Sequence, residues 1–285
     1  MKKVLVTGGA GFIGTNLIKK LVLENYHVTS IDNYSTGLQS NHQNDHNVIY
    51  KNIDIRNITD YSIYGKFDIV YHLAAMARIQ PSFNDPIGYF NTNASSVMVL
   101  TNYCVKNNIP LVYSGSSSHH SGKFKNPYTF SKDIGEDIIK LFQIHYGLKS
   151  SICRFYNVYG PHQLTSGEYC TLIGSWENRV RQNLPLLIYG DGSKKRDFTH
   201  VHDIVDALYL ILKNSAWGYT FEFGRGKNYS ISDIAKMFGK EVEYLEEKKG
   251  EAEVTLCSDT LAKDILGWNP KLNVEDYIKN LVENK

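Results

Sequence analysis

Cysteine is scarce in the 285-residue sequence: Cys104, Cys153, Cys170 and Cys257 lie far apart, with no CxxC pair and mostly among apolar or aromatic neighbours. That pattern argues for reduced core thiols and against a disulfide framework. Charge of one sign is also lacking, because 31 basic and 29 acidic residues leave a formal net charge of +2 with both signs well mixed. Nothing here builds the polyanion-binding surface that a nucleic-acid partner requires, so phosphate recognition has to be local. No long apolar run opens the chain, where Met1-Lys2-Lys3 leads into Val4-Leu5-Val6 and then glycines. Such a run is too short for a signal peptide or a membrane span, so no membrane partner is expected and the cytoplasm is the expected location. Internal repeats, low-complexity tracts and a Pro- or Gly-rich linker are missing as well, so any two lobes have to pack directly on one another. What is present, 42% hydrophobic and 21% charged residues, suits a globular chain with a large core and excludes a disordered or fibrous one. At this length the expectation is two lobes sharing a cleft.

Short apolar runs bounded by turn residues recur at 4–7, 27–31, 48–50, 68–73, 111–113 and 151–155, and each reads as a strand buried on both faces. Helical periodicity fills the gaps at 13–23, 97–106 and 130–146. Strand and helix in alternation imply an α/β fold, a doubly wound parallel sheet with helices on both faces. After about Arg154 the texture changes to aromatic loops and short capped helices. Ser230 with Asp233 reads as a capping box closed by Gly239, and 258–266 reads as a helix closed by Gly267 with Pro270 beyond. These segments form a second, smaller α/β lobe.

In Thr7-Gly8-Gly9-Ala10-Gly11-Phe12-Ile13-Gly14 the glycines at 8, 11 and 14 follow the first strand and open a helix. Small residues there let backbone N–H groups and the helix N-terminus approach a pyrophosphate, although a plain tight turn uses glycine in the same way. The second strand ends at Asp32, 18 residues beyond Gly14 and just before Asn33. A carboxylate at that point accepts hydrogen bonds from the adenosine ribose hydroxyls and repels a 2′-phosphate, so the expected cofactor is NAD and not NADP. Residues 1–154 therefore read as a Rossmann NAD-binding domain. Residues 155–285 read as mainly a substrate lobe, with some segments returning to the sheet. Asp54, ahead of Ile55, is placed either to reach the adenine edge or to pair with Arg56. His72-Leu73-Ala74-Ala75 ends the fourth strand with small residues that suit backbone passing under a cofactor, and His72 itself reads equally well as structural.

Tyr128 and Lys132 are four apart, so on a helix they share one face. A phenol with a pKa of about 10 is a poor base at neutral pH and needs cationic help. One positive charge about 4 Å away, in an effective dielectric of about 20, is worth about 4 kcal/mol, enough to bring it toward neutrality. Among 20 tyrosines such a spacing is weak by itself, but the order of motifs strengthens it: TGGAGFIG, Asp32, HLAA, Tyr113-Ser114-Gly115-Ser116-Ser117-Ser118, then Asn126-Pro127-Tyr128-Thr129-Phe130-Ser131-Lys132. Arg154-Phe155-Tyr156-Asn157-Val158-Tyr159-Gly160-Pro161, Ile188-Tyr189-Gly190-Asp191-Gly192, Arg196-Asp197-Phe198-Thr199 and Leu266-Gly267-Trp268 extend it over nearly the whole chain. The sequence resembles the extended short-chain dehydrogenase/reductase family, and within it the UDP-hexose 4-epimerases, including the N-acetylhexosamine and uronic acid branch.

The resemblance implies a set of roles. Tyr128 would deprotonate the sugar 4-hydroxyl, Lys132 would hold the nicotinamide ribose and lower the Tyr128 pKa, and Ser116, or Ser117 beside it, would hydrogen-bond the reacting oxygen. Cofactor contacts would come from Gly8, Gly11, Phe12, Ile13, Gly14, Asp32, Asn33, Asp54, Ile55, Leu73, Ala74, Ala75, Ser114 and Phe155, besides Tyr128 and Lys132. A nucleotide sugar, most simply a UDP-sugar, would meet Arg78, Ser82, Ser116, Tyr128, Asn157, Arg196 and Lys248. Asn157 and Arg196 match pyrophosphate contacts, while a turn residue and an ion pair with Asp197 are the plain alternatives. Lys248 stands where relatives place an arginine, ahead of Gly250-Glu251. Arg78 would meet a substrate carboxylate or phosphate, or be a surface arginine. A homodimer through 97–106 and 130–146 is implied by analogy.

The chain departs from its relatives after the serines. His119-His120-Ser121-Gly122 replaces a Val-Tyr-Gly run, and only eleven residues separate Ser116 from Tyr128. The two histidines have no ligand spacing with His162, His200 or His202, so no metal is expected and a solvated or substrate-facing pair is. Sister chemistries are a 4,6-dehydratase or a uronate decarboxylase, which carry an acid beside the active-site hydroxyl where this chain has Ser-Ser-Ser-His. A keto-sugar reductase would need exchangeable cofactor, usually NADP, which Asp32 discourages. An NAD-sensing protein without catalysis is disfavoured by the retention of both Tyr128 and Lys132.

Overall fold

The computed structural model describes residues 1–283. Six strands alternate with helices: β1 Lys3–Thr7, β2 His27–Asp32, β3 Val48–Asn52, β4 Ile69–His72, β5 Leu111–Ser116 and β6 Ser150–Phe155. With the edge strand Thr220–Phe223 they form a seven-stranded sheet ordered from that edge as β6, β5, β4, β1, β2, β3, every pair parallel. Chain direction across the sheet reverses between β1 and β4, and in an open parallel sheet ligands bind outside the strand ends at such a point.

The apolar runs explain the sheet. All four residues of β4 and all six of β5 are buried, because helices cover both faces. On one face α1, Phe12–Leu23, packs with the helix 201–214 through Leu17, Leu21, Ile204 and Leu208. On the opposite face, chain order gives α2 Ile79–Asn84, α3 Pro86–Phe90, α4 Ser96–Lys106 and α5 Pro127–Tyr146. The last two contribute Val97, Leu100, Ile138, Ile139 and Phe142 to the second core. Asn126 caps α5 by accepting from Thr129 N at 2.7 Å, Pro127 supplies its first turn, and Gly147 ends it at φ +66°. The helix therefore begins where Tyr128 and Lys132 are needed.

A third core, including Trp176, Ile188, Ile234, Phe238 and Ile278, belongs to the smaller lobe. Its strands are short pairs, 186–189 with 242–245 and 195–197 with 228–230. The capping box of Ser230 and Asp233 is present and Gly239 closes the helix 231–238 in the left-handed conformation. The next expected helix is shorter than 258–266: it spans Leu261–Leu266, because Asp259 accepts from Leu261 N at 2.7 Å and holds the residues before it in a turn. Two later segments, 201–214 and 220–223, lie on the sheet of the first half. The guanidinium of buried Arg154 joins the edge strand to α5, bonded to Glu136 on that helix at 2.6 Å and to Glu222 on the edge strand at 2.9 Å.

Candidate active site

A cleft of about 500 Å³ runs over the C-terminal ends of the strands. Its floor is the glycine turn. Gly8 sits at φ +72° and a Cβ there would lie 2.7 Å from Ala74 N, while a Cβ on Gly14 would lie 2.1 Å from Gly8 O. Only glycine lets the turn lie this close to Leu73 and Ala74. Gly11 precedes α1 with no side-chain cap, so the first N–H groups of the helix, from Phe12, Ile13 and Gly14, are left for an anion. At the far end Asp32 accepts from Ala10 N at 3.0 Å and Tyr34 N at 2.8 Å. Burial pushes its pKa up and those N–H groups pull it back. Beside it Asp54 bonds Arg56 and Asn33, so the pairing with Arg56 is realised on the cleft wall, where that hydrogen bond holds the Asp54 carboxyl well below the usual range. Ile55, Ala75, Ser114 and Phe155 complete the expected lining.

At the other end the Tyr128 hydroxyl donates to Ser116 Oγ at 3.1 Å, and Ser116 Oγ lies 2.9 Å from Ser118 Oγ. Ser117 also faces the cleft. Lys132 donates to the Ser114 carbonyl and lies over the Tyr113 ring, 4.6 Å from its centre. Burial pulls the Lys132 pKa down to about 8, against the pull of Glu136. Burial pushes the Tyr128 phenol up; the Ser116 hydrogen bond and then the Arg78 guanidinium oppose it, and Glu136 and Asp133 reinforce it. His72 is structural: its Nδ1 pairs with Thr7 Oγ1 at 2.7 Å, and burial, with Lys132 nearby, depresses it to about 3.

A larger cavity of about 1280 Å³ adjoins the cleft, and Arg78, Asn157, Thr171, Arg196 and Glu251 line both. Arg78 is no loose surface arginine, since its Nε donates to the carbonyls of Tyr169 and Cys170 at 3.0 and 3.1 Å. Arg196 pairs with Glu251 at 3.5 Å and not with Asp197, which instead accepts from the N–H groups of Arg225, Gly226 and Cys257. Asn157 adopts φ +30° and its Nδ2 donates to Asp197 O and Thr255 Oγ1. Lys248 faces the larger cavity alone, with Nζ 3.6 Å from the centre of the Tyr189 ring.

Residues 4–224 match the NAD dependent epimerase/dehydratase family. The chain belongs to this family. Its cofactor is NAD, and the glycine turn, the uncapped start of α1 and the buried Asp32 fit that molecule. Over 98% of its length the chain is 29% identical to a putative UDP-glucose 4-epimerase of Methanocaldococcus jannaschii, covering 97% of that protein. It is 30% identical to a UDP-glucuronate 4-epimerase of Thermodesulfobacterium geofontis, covering 98% of this chain and 94% of that one. The crystal structure of the UDP-glucose 4-epimerase of Thermotoga maritima with UDP-glucose superposes with a TM-score of 0.90, at 28% identity over 99% of this chain and 97% of that one.

One expectation for this epimerase/dehydratase family member needs correction. Ser82 is buried and donates to Ile79 O at 2.6 Å within α2, so its hydroxyl is used by its own helix and lines neither cavity. Of the two readings of His119 and His120 the solvated one holds: both side chains reach solvent and neither lines the cleft, while each is also paired, with Asp133 at 2.9 Å and Glu222 at 3.0 Å. His119, Asp133 and Glu136 bring ligand atoms within 4.8 Å of one another. Glu136, however, is bonded through both oxygens to Arg154, and that guanidinium fills the place of a cation. Residues that sequence reasoning missed include Tyr169 and Glu251, which fix the two arginines, and Asn93. The Asn93 side chain joins Met76 to Ser131 of α5, and only its place in a π-helical turn, 91–95, brings it there.

Proposed function

We propose that the chain catalyses NAD-dependent 4-epimerisation of a nucleotide-diphosphate sugar, of the UDP-hexose, N-acetylhexosamine or uronate kind. The observation that carries this reading is the 3.1 Å hydrogen bond between Tyr128 and Ser116 in the wall of a cleft that also contains Lys132. NAD, when bound, supplies reversible two-electron chemistry at C4 by way of a transient 4-keto sugar, so net redox change is zero. The chain's own residues do the rest. Tyr128 removes the 4-hydroxyl proton and returns it, while Ser116, seconded by Ser117, holds the same oxygen. Lys132, seated on the Ser114 carbonyl, anchors the nicotinamide ribose. The turn from Gly8 to Gly14 receives the cofactor pyrophosphate, and Asp32 with Asn33 the adenosine ribose. Asp54-Ile55 flanks the adenine, while Leu73-Ala74-Ala75 and Phe155 bound the path between. Asn157, Arg196 and Lys248 receive the substrate diphosphate, with the Arg196 fork the best suited of them.

Epimerisation is favoured over dehydration or decarboxylation because, among the described residues, the carboxylates near the serines are all paired. Asp133 is paired with His119, Glu136 with Arg154, and Glu251 with Arg196. Exposed Met98 on α4 and Leu141 and Ile144 on α5 favour a homodimer built on these helices. Among the described residues no helix is long and apolar enough to cross a membrane, in keeping with work in the cytoplasm on small-molecule substrates. Incubating the purified protein with UDP-, GDP- and dTDP-sugars, without added cofactor, tests the reading by NMR. A C4 epimer is expected from at least one UDP-sugar; products lacking water or carbon dioxide would overturn it in favour of a sister chemistry.

A further inference from the structure

Two cations border the catalytic tyrosine, and they are held very differently. Lys132, one turn further along α5, directs its ammonium to the Ser114 carbonyl and the face of Tyr113, with Glu136 of the same helix nearby. Arg78 comes from the other wall, at the entry to α2, and lines the cleft together with Tyr128 and Tyr169. Its Nε is fixed on the carbonyls of Tyr169 and Cys170 and its Nη1 on Ala77 O at 3.1 Å, which leaves Nη2 without a hydrogen-bond partner among the described residues. Tyr169 is itself tied to Tyr89 of α3 by a 3.3 Å hydroxyl contact, and the Tyr89 ring packs edge-on against Tyr128 at 6.3 Å. The loop 169–170 therefore holds one guanidinium in place in the cleft that Tyr128 also lines, and Tyr169 and Tyr89 link that loop to the phenol.

We propose that Arg78 is the fixed positive charge that makes Tyr128 available as a base, acting through that tyrosine beside the ribose-anchoring Lys132. This deepens the epimerase reading and rests on it. The charges facing the phenol set the balance. From its own helix come Asp133 and Glu136, with Tyr113 from β5 and Tyr89 from α3, while the Lys132 ammonium is turned to the Ser114 carbonyl and the Tyr113 ring; Arg78 enters from the loop before α2, near Glu251 and Cys170. Both carboxylates of α5 push the phenol up, and Arg78 is the first cation that pulls it down. A guanidinium remains charged at any pH at which the enzyme works, so its pull on the phenol does not fade as pH rises. Lys132, pulled down to about 8, does not have that security.

The test is an ultraviolet titration of phenolate absorbance on the protein with its bound NAD, comparing unmodified chain, Arg78→Met, Arg78→Lys and Tyr128→Phe. The step that Tyr128→Phe removes belongs to Tyr128. It is expected to move up by about one to two pH units in Arg78→Met and by less than half of that in Arg78→Lys. The acidic limb of kcat/KM should move by the same amount, with KM changed less than kcat. A step unmoved in Arg78→Met overturns the proposal. So does an equal displacement in both variants, which would assign the effect to the lost tie to residues 169–170 and not to the charge. If no nucleotide sugar is turned over by the unmodified protein, the epimerase reading fails while this titration still decides the role of Arg78.

Discussion

His119 Nδ1 lies 2.9 Å from Asp133 Oδ1, across the interval between the strand end that carries Ser116 and the helix that carries Tyr128 and Lys132. This pair holds the loop after the serines against α5. Replacing His119 by Ala should leave the fold and bound NAD intact but let Ser116 drift from Tyr128. Turnover is expected to fall on the order of tenfold with little change in KM, since small misplacements of reacting groups are costly. Steady-state kinetics on the variant check this.

Arg154 is the keystone beneath that loop, with its side chain 8% exposed between Glu136 and Glu222. Arg154→Met would leave Glu136 buried and unmatched and would take from Glu222 its guanidinium partner. Breaking a buried pair costs about 3–5 kcal/mol, which in a chain of this size corresponds to a drop in Tm of roughly 6–12 °C. Thermal unfolding measures it, and the triple variant with Glu136→Gln and Glu222→Gln should recover part of the loss.

The Lys132 pKa, pulled to about 8 by burial, has two consequences. Its folded value lies below its unfolded one, so burial penalises the ammonium fully below about pH 8. The penalty is relieved as pH rises from about 8 towards the ordinary lysine value, where only the unfolded chain is still protonated. Stability from this group therefore increases with pH in that window. Activity that needs the ammonium runs the other way, and the alkaline limb of kcat should have its midpoint near pH 8, read from a pH–rate profile.

Asp32 both closes its turn, through Ala10 N and Tyr34 N, and faces the cofactor cleft. Asp32→Ala should weaken NAD by on the order of a hundredfold and remove the discrimination against NADP, because a charge-assisted acceptor and a repulsive charge are lost together. Equilibrium titration of cofactor-free protein with the two dinucleotides decides it.

The sheet and the cofactor turn were legible because they rest on local chemistry. Strands such as 111–113 announce themselves as apolar runs, and the glycines at 8, 11 and 14 announce a close turn that opens a helix. The helices α2 and α3 were not, since Pro81 and Pro86 read as breakers although each sits in a first turn that tolerates proline. Nor were the strands of two to four residues in the smaller lobe, which are too short to show a period. Ser82 looked available because a hydroxyl's bond to its own helix leaves no mark on the sequence. The histidine pair looked free because its partners are 14 and 102 residues away, and only the packing of α5 and the edge strand against the loop joins them.

Tyr128, bonded to Ser116 in the cleft wall, is the group proposed to take the proton from the sugar. Tyr128→Phe, purified with its NAD and given the UDP-sugar that the unmodified protein converts, measures it most directly. The account predicts bound cofactor, an unchanged fold and a loss of turnover on the order of a thousandfold or more; epimer formed at the original rate would contradict it.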